Sequence, residues 1–207
     1  MITFADVVQR LQERAIPYGT LALADRISLV ICQRGGRILG PFQLPEGESL
    51  LWANPAFGEP EAFGAFLAAD GWNLGGERVW VAPEIQYGVR DRRDFWRTLA
   101  LPPQMDPGDW RLAQDGDAYT LTQALTLEAH NIAHGHKTLH MARRIRPAAD
   151  PLRALSGYAE LTDGVAFAGY EHNVTLTETQ TDEIMSCLLY TSDAADDLLC
   201  VDLGGRR

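Results

Sequence analysis

Apolar positions recur along this chain with two periods, a helical one at the start and a two-residue one over much of the rest. Phe4, Val7, Val8 and Leu11 fall at helical spacing, which predicts a short amphipathic helix ended by the Pro17-Tyr18-Gly19 group. LALADRISLVIC then reads as extended chain, and GGRILG as a turn leading into another short strand. The clearest strand is AYTLTQALTLEAH, where Tyr119, Leu121, Leu125 and Leu127 alternate with Thr120, Thr122, Ala124 and Thr126. After AHGHK a second strand sets Leu139, Met141 and Ile145 on one face and Thr138, His140 and Arg144 on the other. Pairing the two about Gly135 gives an antiparallel hairpin. Residues 147–161, rich in Pro, Ala and Leu, read as a loop with a short helix. GYEHNVTLTE resumes the alternation, with Tyr170, His172, Val174 and Leu176 on one face. No internal repeat or linker interrupts the series. The pattern predicts one mainly β domain with antiparallel sheets and a short N-terminal helix.

The last stretch breaks the pattern. Cys187–Arg207, CLLYTSDAADDLLCVDLGGRR, resembles a translated transposase-type sequencing adapter running through a short index into its constant arm. On that reading residues 1–186 are a partial domain that continues beyond Ser186, and residues 187–207 are an artefactual tail excluded from fold reasoning. The alternative is a genuine acidic terminus with small leucine patches. Chance sequence has no reason to complement an existing core, so the tail is expected to stay out of the sheets.

Charge narrows the partners. The formal net charge is -10; leaving out four tail acids (Asp193, Asp196, Asp197, Asp202) and two tail bases (Arg206, Arg207) gives -8. Phosphate backbones are gripped by clustered Lys and Arg, and the one basic cluster, Arg90, Arg92 and Arg93, is broken by Asp91 and Asp94. Nucleic acid is therefore not an expected partner. Outside the tail the only cysteine is Cys32, in the run ISLVIC, which leaves no disulfide framework and no CxxC metal site and points to a buried strand thiol. The N-terminal residues lack the basic-then-apolar layout of a signal peptide, and no apolar run approaches the roughly 18 residues of a membrane span. A soluble cytoplasmic protein without a cofactor and with no membrane partner is the expectation.

GGRILG, LLWANP, WNLGGERVWVAPEIQY and a hairpin leading into RRIRP, in that order, resemble the N-terminal part of an uncharacterised branch of the galactose mutarotase-like superfamily, which includes the aldose 1-epimerases. The resemblance spans most of residues 21–176. It implies an antiparallel β-supersandwich, longer than the genuine part of this chain, that binds a small-molecule sugar on a concave face and in the full-length protein interconverts sugar anomers. Those epimerases use a histidine acid and a glutamate base. The Asn-His-x-x-Phe-Asn-type segment expected around the acid is not found here, and the base belongs to a later part of the domain, so the catalytic residues stay unknown and the fragment itself is expected to be inactive.

The residues themselves offer a ligand face. Gly75 and Gly76 permit positive φ or close backbone approach. Arg78, Trp80 and Glu84 then supply a forked donor, a flat apolar ring and a carboxylate, the set that sugar hydroxyls and C–H faces require. Strand alternation sets Arg78 and Trp80 on one face and Val79 and Val81 on the other. The competing assignment pairs Arg78 with Glu77 or Asp91 and uses Trp80 to plug a sheet edge, which makes this a noncatalytic or structural sandwich domain. Trp52 and Trp72 are expected in the core, and Trp96 and Trp110 to fasten the loop LALPPQMDPGD. HNIAHGHKTLH holds His130, His134, His136 and His140, a third and minor possibility as a metal site. A hairpin centred on Gly135 separates His134 and His136 at the turn from His130 and His140, which argues against a single centre. His172 reads as a half-buried, hydrogen-bonded histidine. The Asn173-Val174-Thr175 sequon matters only in a secreted chain.

Overall fold

The computed structural model describes residues 1–131, 135–181 and 189–191. In chain order the elements are α1 (Phe4–Glu13), β1 (Tyr18–Ala24), β2 (Ile27–Cys32), β3 (Arg37–Gln43), α2 (Pro60–Ala68), β4 (Val79–Val81), α3 (Glu84–Gly88), α4 (Phe95–Thr98), β5 (Arg111–Asp115), β6 (Ala118–Ala129), β7 (Gly135–Pro147), α5 (Tyr158–Leu161), β8 (Tyr170–Thr181) and β9 (Leu189–Thr191). The fold is mainly β and antiparallel. β1-β2-β3 form one sheet and β5-β6-β7-β8 another.

The two sheets face each other across one core. Leu29, Ile31 and Ile38 of the small sheet meet Leu121, Leu125, Leu139, Met141 and Ile145 of the large one, with β4 joining the same cluster. At the closest approach, Gly19 lies under the Tyr119 ring: a Cβ on Gly19 would stand 2.1 Å from Tyr119 Cε1. The Tyr119 hydroxyl donates to the Thr20 carbonyl at 3.3 Å. Alternate residues of the small sheet, Val30, Cys32, Leu39 and Phe42, point the other way into a second core closed by Val7 and Leu11 of α1, by Phe57, and by Phe63 of α2. Burial on both faces explains why ISLVIC is an unbroken apolar run rather than an alternating one. Each such side chain contributes about 1.5–3 kcal/mol.

Local signals set the ends of α1. Thr3 caps it by accepting from the Asp6 N–H at 3.2 Å while Asp6 accepts from the Thr3 N–H at 2.9 Å, a closed capping box. The helix stops at Glu13, ahead of Pro17-Tyr18-Gly19, and Tyr18 already opens β1. No helix among the described residues is long and apolar enough to cross a membrane.

Several expectations need correction. LALADRISLVIC is two strands, because the chain reverses at Asp25-Arg26 with Arg26 at φ +59°. The β6–β7 hairpin pairs Ala129 with Gly135, so Gly135 opens β7 instead of sitting at the centre of the turn. Trp52 is 57 % exposed and does not serve the core; Trp96 is 84 % exposed and meets Phe95 edge-to-face within the single turn of α4 rather than fastening the loop that follows. The tail does not stay wholly apart: Leu189–Thr191 pairs antiparallel with Val79–Val81. β4 is a three-residue edge whose free N–H and C=O groups accept a short extended segment. Residues 182–188 and 192–207 lie outside the described residues.

Candidate functional site

Charged side chains gather between the sheets at the Gly35-Gly36 end of the sandwich. Arg37, at the start of β3, is fully buried and ion-paired with Asp106, itself 3 % exposed. The Trp80 indole N–H donates to the same Asp106 carboxylate at 3.3 Å. Arg78 lies over Trp80, its Cζ 3.6 Å from that ring's centroid and 5.3 Å from that of Trp72. Trp72 and Trp80 stand 5.7 Å apart at 50°.

A second group adjoins it from the large sheet. Arg143 of β7, also fully buried, donates through Nη1 to the Gly36 carbonyl and through Nε to His172 Nε2 at 3.0 Å. Since Nε2 accepts, the His172 proton belongs on Nδ1, which faces Glu77 Oε1 at 2.5 Å. The Tyr170 hydroxyl donates to the other Glu77 oxygen at 2.5 Å. Asp106 Oδ1, Trp110 Nε1 and Gln123 Oε1 are buried without a partner from the chain.

Burial sets the protonation balance here. Desolvation pushes Asp106 up to about 6, outweighing the pull of Arg37, the Trp80 N–H and Arg78. Burial likewise lowers Arg37 and Arg143 to about 10, which leaves both cationic at neutral pH. At Glu77 burial acts upward, but the hydrogen bonds from His172 and Tyr170 and the nearby positive charge of Arg143 prevail. Its carboxyl ends below the ordinary range.

Of the residues marked in the sequence, Arg78 and Trp80 do come together, but on each other. Trp80 is 8 % exposed and shares the inter-sheet core with Val79 and Val81, so β4 is buried on both sides instead of alternating. Glu84 sits outside, at the start of α3. Although it is exposed, partial desolvation raises its carboxyl against the opposing charge of Arg78. Gly75 and Gly76 adopt φ +89° and +69°, and Cβ atoms there would stand 2.3 Å from the carbonyl oxygens of Trp52 and Ile38. Positive φ and close approach are both required of them. Cys32 is fully buried, and desolvation lifts its thiol to about 12.

An open concavity lies elsewhere, at the far end of the β6–β7 hairpin. Asn131 Nδ2 donates to the Ile85 carbonyl at 2.6 Å and also to that of Val89, and the His130 N–H donates to the Gln86 carbonyl at 2.9 Å. The Ala100 N–H donates to the Gly88 carbonyl at 2.8 Å. These bonds tie α3, the loop after α4 and the hairpin end around a pocket of about 370 Å³. Tyr87, Leu101 and Pro102 give it apolar walls, and Arg90, Glu128 and His130 give it polar ones. His130 Nδ1 stands 3.9 Å from Glu128 Oε1. The sequence marked only His130 and His136 here, as possible metal ligands, because the other lining residues come from distant segments.

His130 and His136 both line this pocket, His136 opposite Glu128 on the ladder, whereas His140 stands farther along the strand opposite Ala124; His134 lies outside the described residues. Among the described residues no three His, Cys, Asp or Glu side chains are grouped to hold a metal ion. No family model, curated protein or solved structure matches this chain.

Proposed function

We propose that this chain is a carbohydrate-binding β domain, built on the mutarotase-like supersandwich plan that its motif order resembles, with its ligand seat in the pocket beside Tyr87. The observation that carries the reading is the composition of that pocket. Its volume of about 370 Å³ falls in the range of about 300–1,000 Å³ usual for small-molecule sites. A guanidinium, a carboxylate and an imidazole facing aliphatic and aromatic walls match a ring that is hydroxylated at its rim and apolar on its C–H faces. Sugar contact with Arg78, Trp80 and Glu84 remains part of the proposal only if Arg78 leaves the Trp80 ring, since the cation now covers the stacking surface.

A second reading, a structural sandwich domain without a ligand, is favoured by the internal pairing of Arg37, Asp106, Trp80, Arg143 and Glu77. Calorimetric titration of the full chain with a panel of monosaccharides separates the two. Binding is expected, weakened about 5- to 150-fold in R90A and in E128Q, by loss of a charge-assisted contact worth about 1–3 kcal/mol, with Tm unchanged. Weakening in R78A instead would return the site to Arg78 and Trp80. No binding to any member of the panel would leave the structural reading. Polarimetry of the same mixtures tests for anomer interconversion.

A further inference from the structure

The chain carries a formal net charge of -10, so its mean field disfavours an anionic ligand. Beside the Tyr87 pocket the sign reverses. Residues 90–97 hold four arginines against two aspartates, and both aspartates are engaged within that loop. Asp94 pairs with Arg97, and Asp91 Oδ1 accepts from the Arg93 N–H at 2.8 Å. Arg90 lines the pocket, is exposed, and among the described residues has no carboxylate within ion-pair distance. The cations of β7 are different: Lys137, Arg143 and Arg146 are paired with Glu178, Glu77 and Glu171. Glu128, the carboxylate of the lining, already faces cation-forming groups. His130 Nδ1 stands 3.9 Å from it, and His136 lies opposite it on the ladder. The charge left unmatched in the pocket is the guanidinium of Arg90.

We propose that the ligand of this pocket is a monosaccharide bearing a carboxylate, a uronic acid, whose acid group is held by Arg90. The inference rests on the reading of the pocket as a sugar site and narrows that reading to one class. A guanidinium presents a planar fork of N–H donors that matches a carboxylate two bonds at a time, and each group carries one charge. A phosphate monoester carries about -1.5 to -2 near neutral pH. One guanidinium does not balance that charge while Glu128 stands in the same lining. A neutral sugar offers Arg90 hydroxyls alone and leaves its charge unmatched. The rest of the lining suits the remainder of the molecule: a carboxylate such as Glu128 accepts from ring hydroxyls, and Tyr87 and Leu101 supply apolar surface for the C–H face.

The test is calorimetric titration of the full chain, wild type and R90A, with glucose against glucuronate and galactose against galacturonate near neutral pH. At least one uronate is expected to bind about tenfold or more tightly than its neutral parent, the margin of a charge-assisted over a neutral hydrogen bond. In R90A that ratio is expected to fall to about one with Tm unchanged, because Arg90 is exposed and holds no partner in the fold. Neutral sugars bound as tightly as their uronates would overturn the inference and leave the sugar site standing. No binding by any of the four would remove the inference and the sugar site together. A uronate preference that survives R90A would place the carboxylate on another residue and defeat the assignment. Glucose 6-phosphate binding more tightly than glucuronate would defeat it too, by showing that the pocket selects a phosphate.

Discussion

Replacing Asp106 by Asn should stabilise the protein at neutral pH and leave it unchanged in acid, although the substitution removes a buried ion pair. In the folded chain the Asp106 carboxyl sits near 6, against an ordinary 3.8. A folded value above the unfolded one means that ionisation favours the unfolded chain. The contribution of this group is therefore fully present below the unfolded value and is lost as pH rises through about 6. At 1.36 kcal/mol per pK unit the loss is about 3 kcal/mol. Asn imitates the protonated acid: it accepts from the Trp80 N–H and presents no charge to Arg37. The opposing effect is the usual cost of about 3–5 kcal/mol for removing one member of a buried pair. Burial wins here because Asp106 is raised even with Arg37 alongside, so the attraction is already counted. Urea unfolding at about pH 4 and about pH 8 should show equal stabilities in acid and a gain of up to about 3 kcal/mol for D106N in base. A variant that loses stability as pH rises would refute the argument, because the attraction of Arg37 would then outweigh the cost of burying the carboxylate.

Trp80→Ala is expected to cost about 3–5 kcal/mol in denaturant unfolding, as for a core aromatic; a cost below about 1 kcal/mol would identify Trp80 as a surface platform. Glu77→Gln should cost about 3–5 kcal/mol at neutral pH, by loosening His172, Tyr170 and Arg143. The folded carboxyl lies below its unfolded value, so this contribution is present above about pH 4.5 and is lost on further acidification. The gap between E77Q and wild type should close in acid, and a gap independent of pH would mean that packing rather than charge was lost.

What the sequence disclosed depended on how local the cause was. α1, β6, β7 and β8 are long and regularly patterned, and each formed where its period placed it. The turn at Asp25-Arg26 was marked only by that charged pair, because the following β2 is buried on both faces and shows no polar alternation of its own. Arg143 was detectable in principle: it is in phase with Leu139, Met141 and Ile145, a cation at an inward position where only a buried partner can hold it. Its partner Glu77 and the matching pair Arg37–Asp106 are joined only by tertiary folding. The Tyr87 pocket, apart from His130 and His136, was illegible for the same reason.

The small sheet divides two cores that have no residue in common. Its one thiol, Cys32, points to the helical side and is wholly enclosed there, with its acidity suppressed to about 12. Only the thiolate reacts, and it reacts only once exposed. With Cys187 and Cys200 replaced by Ser, alkylation of Cys32 in the native protein therefore reports how often α1 and α2 lift from the sheet, independently of events between the two sheets. The chain carries a built-in gauge of partial opening, confined to the layer that lies away from the Tyr87 pocket.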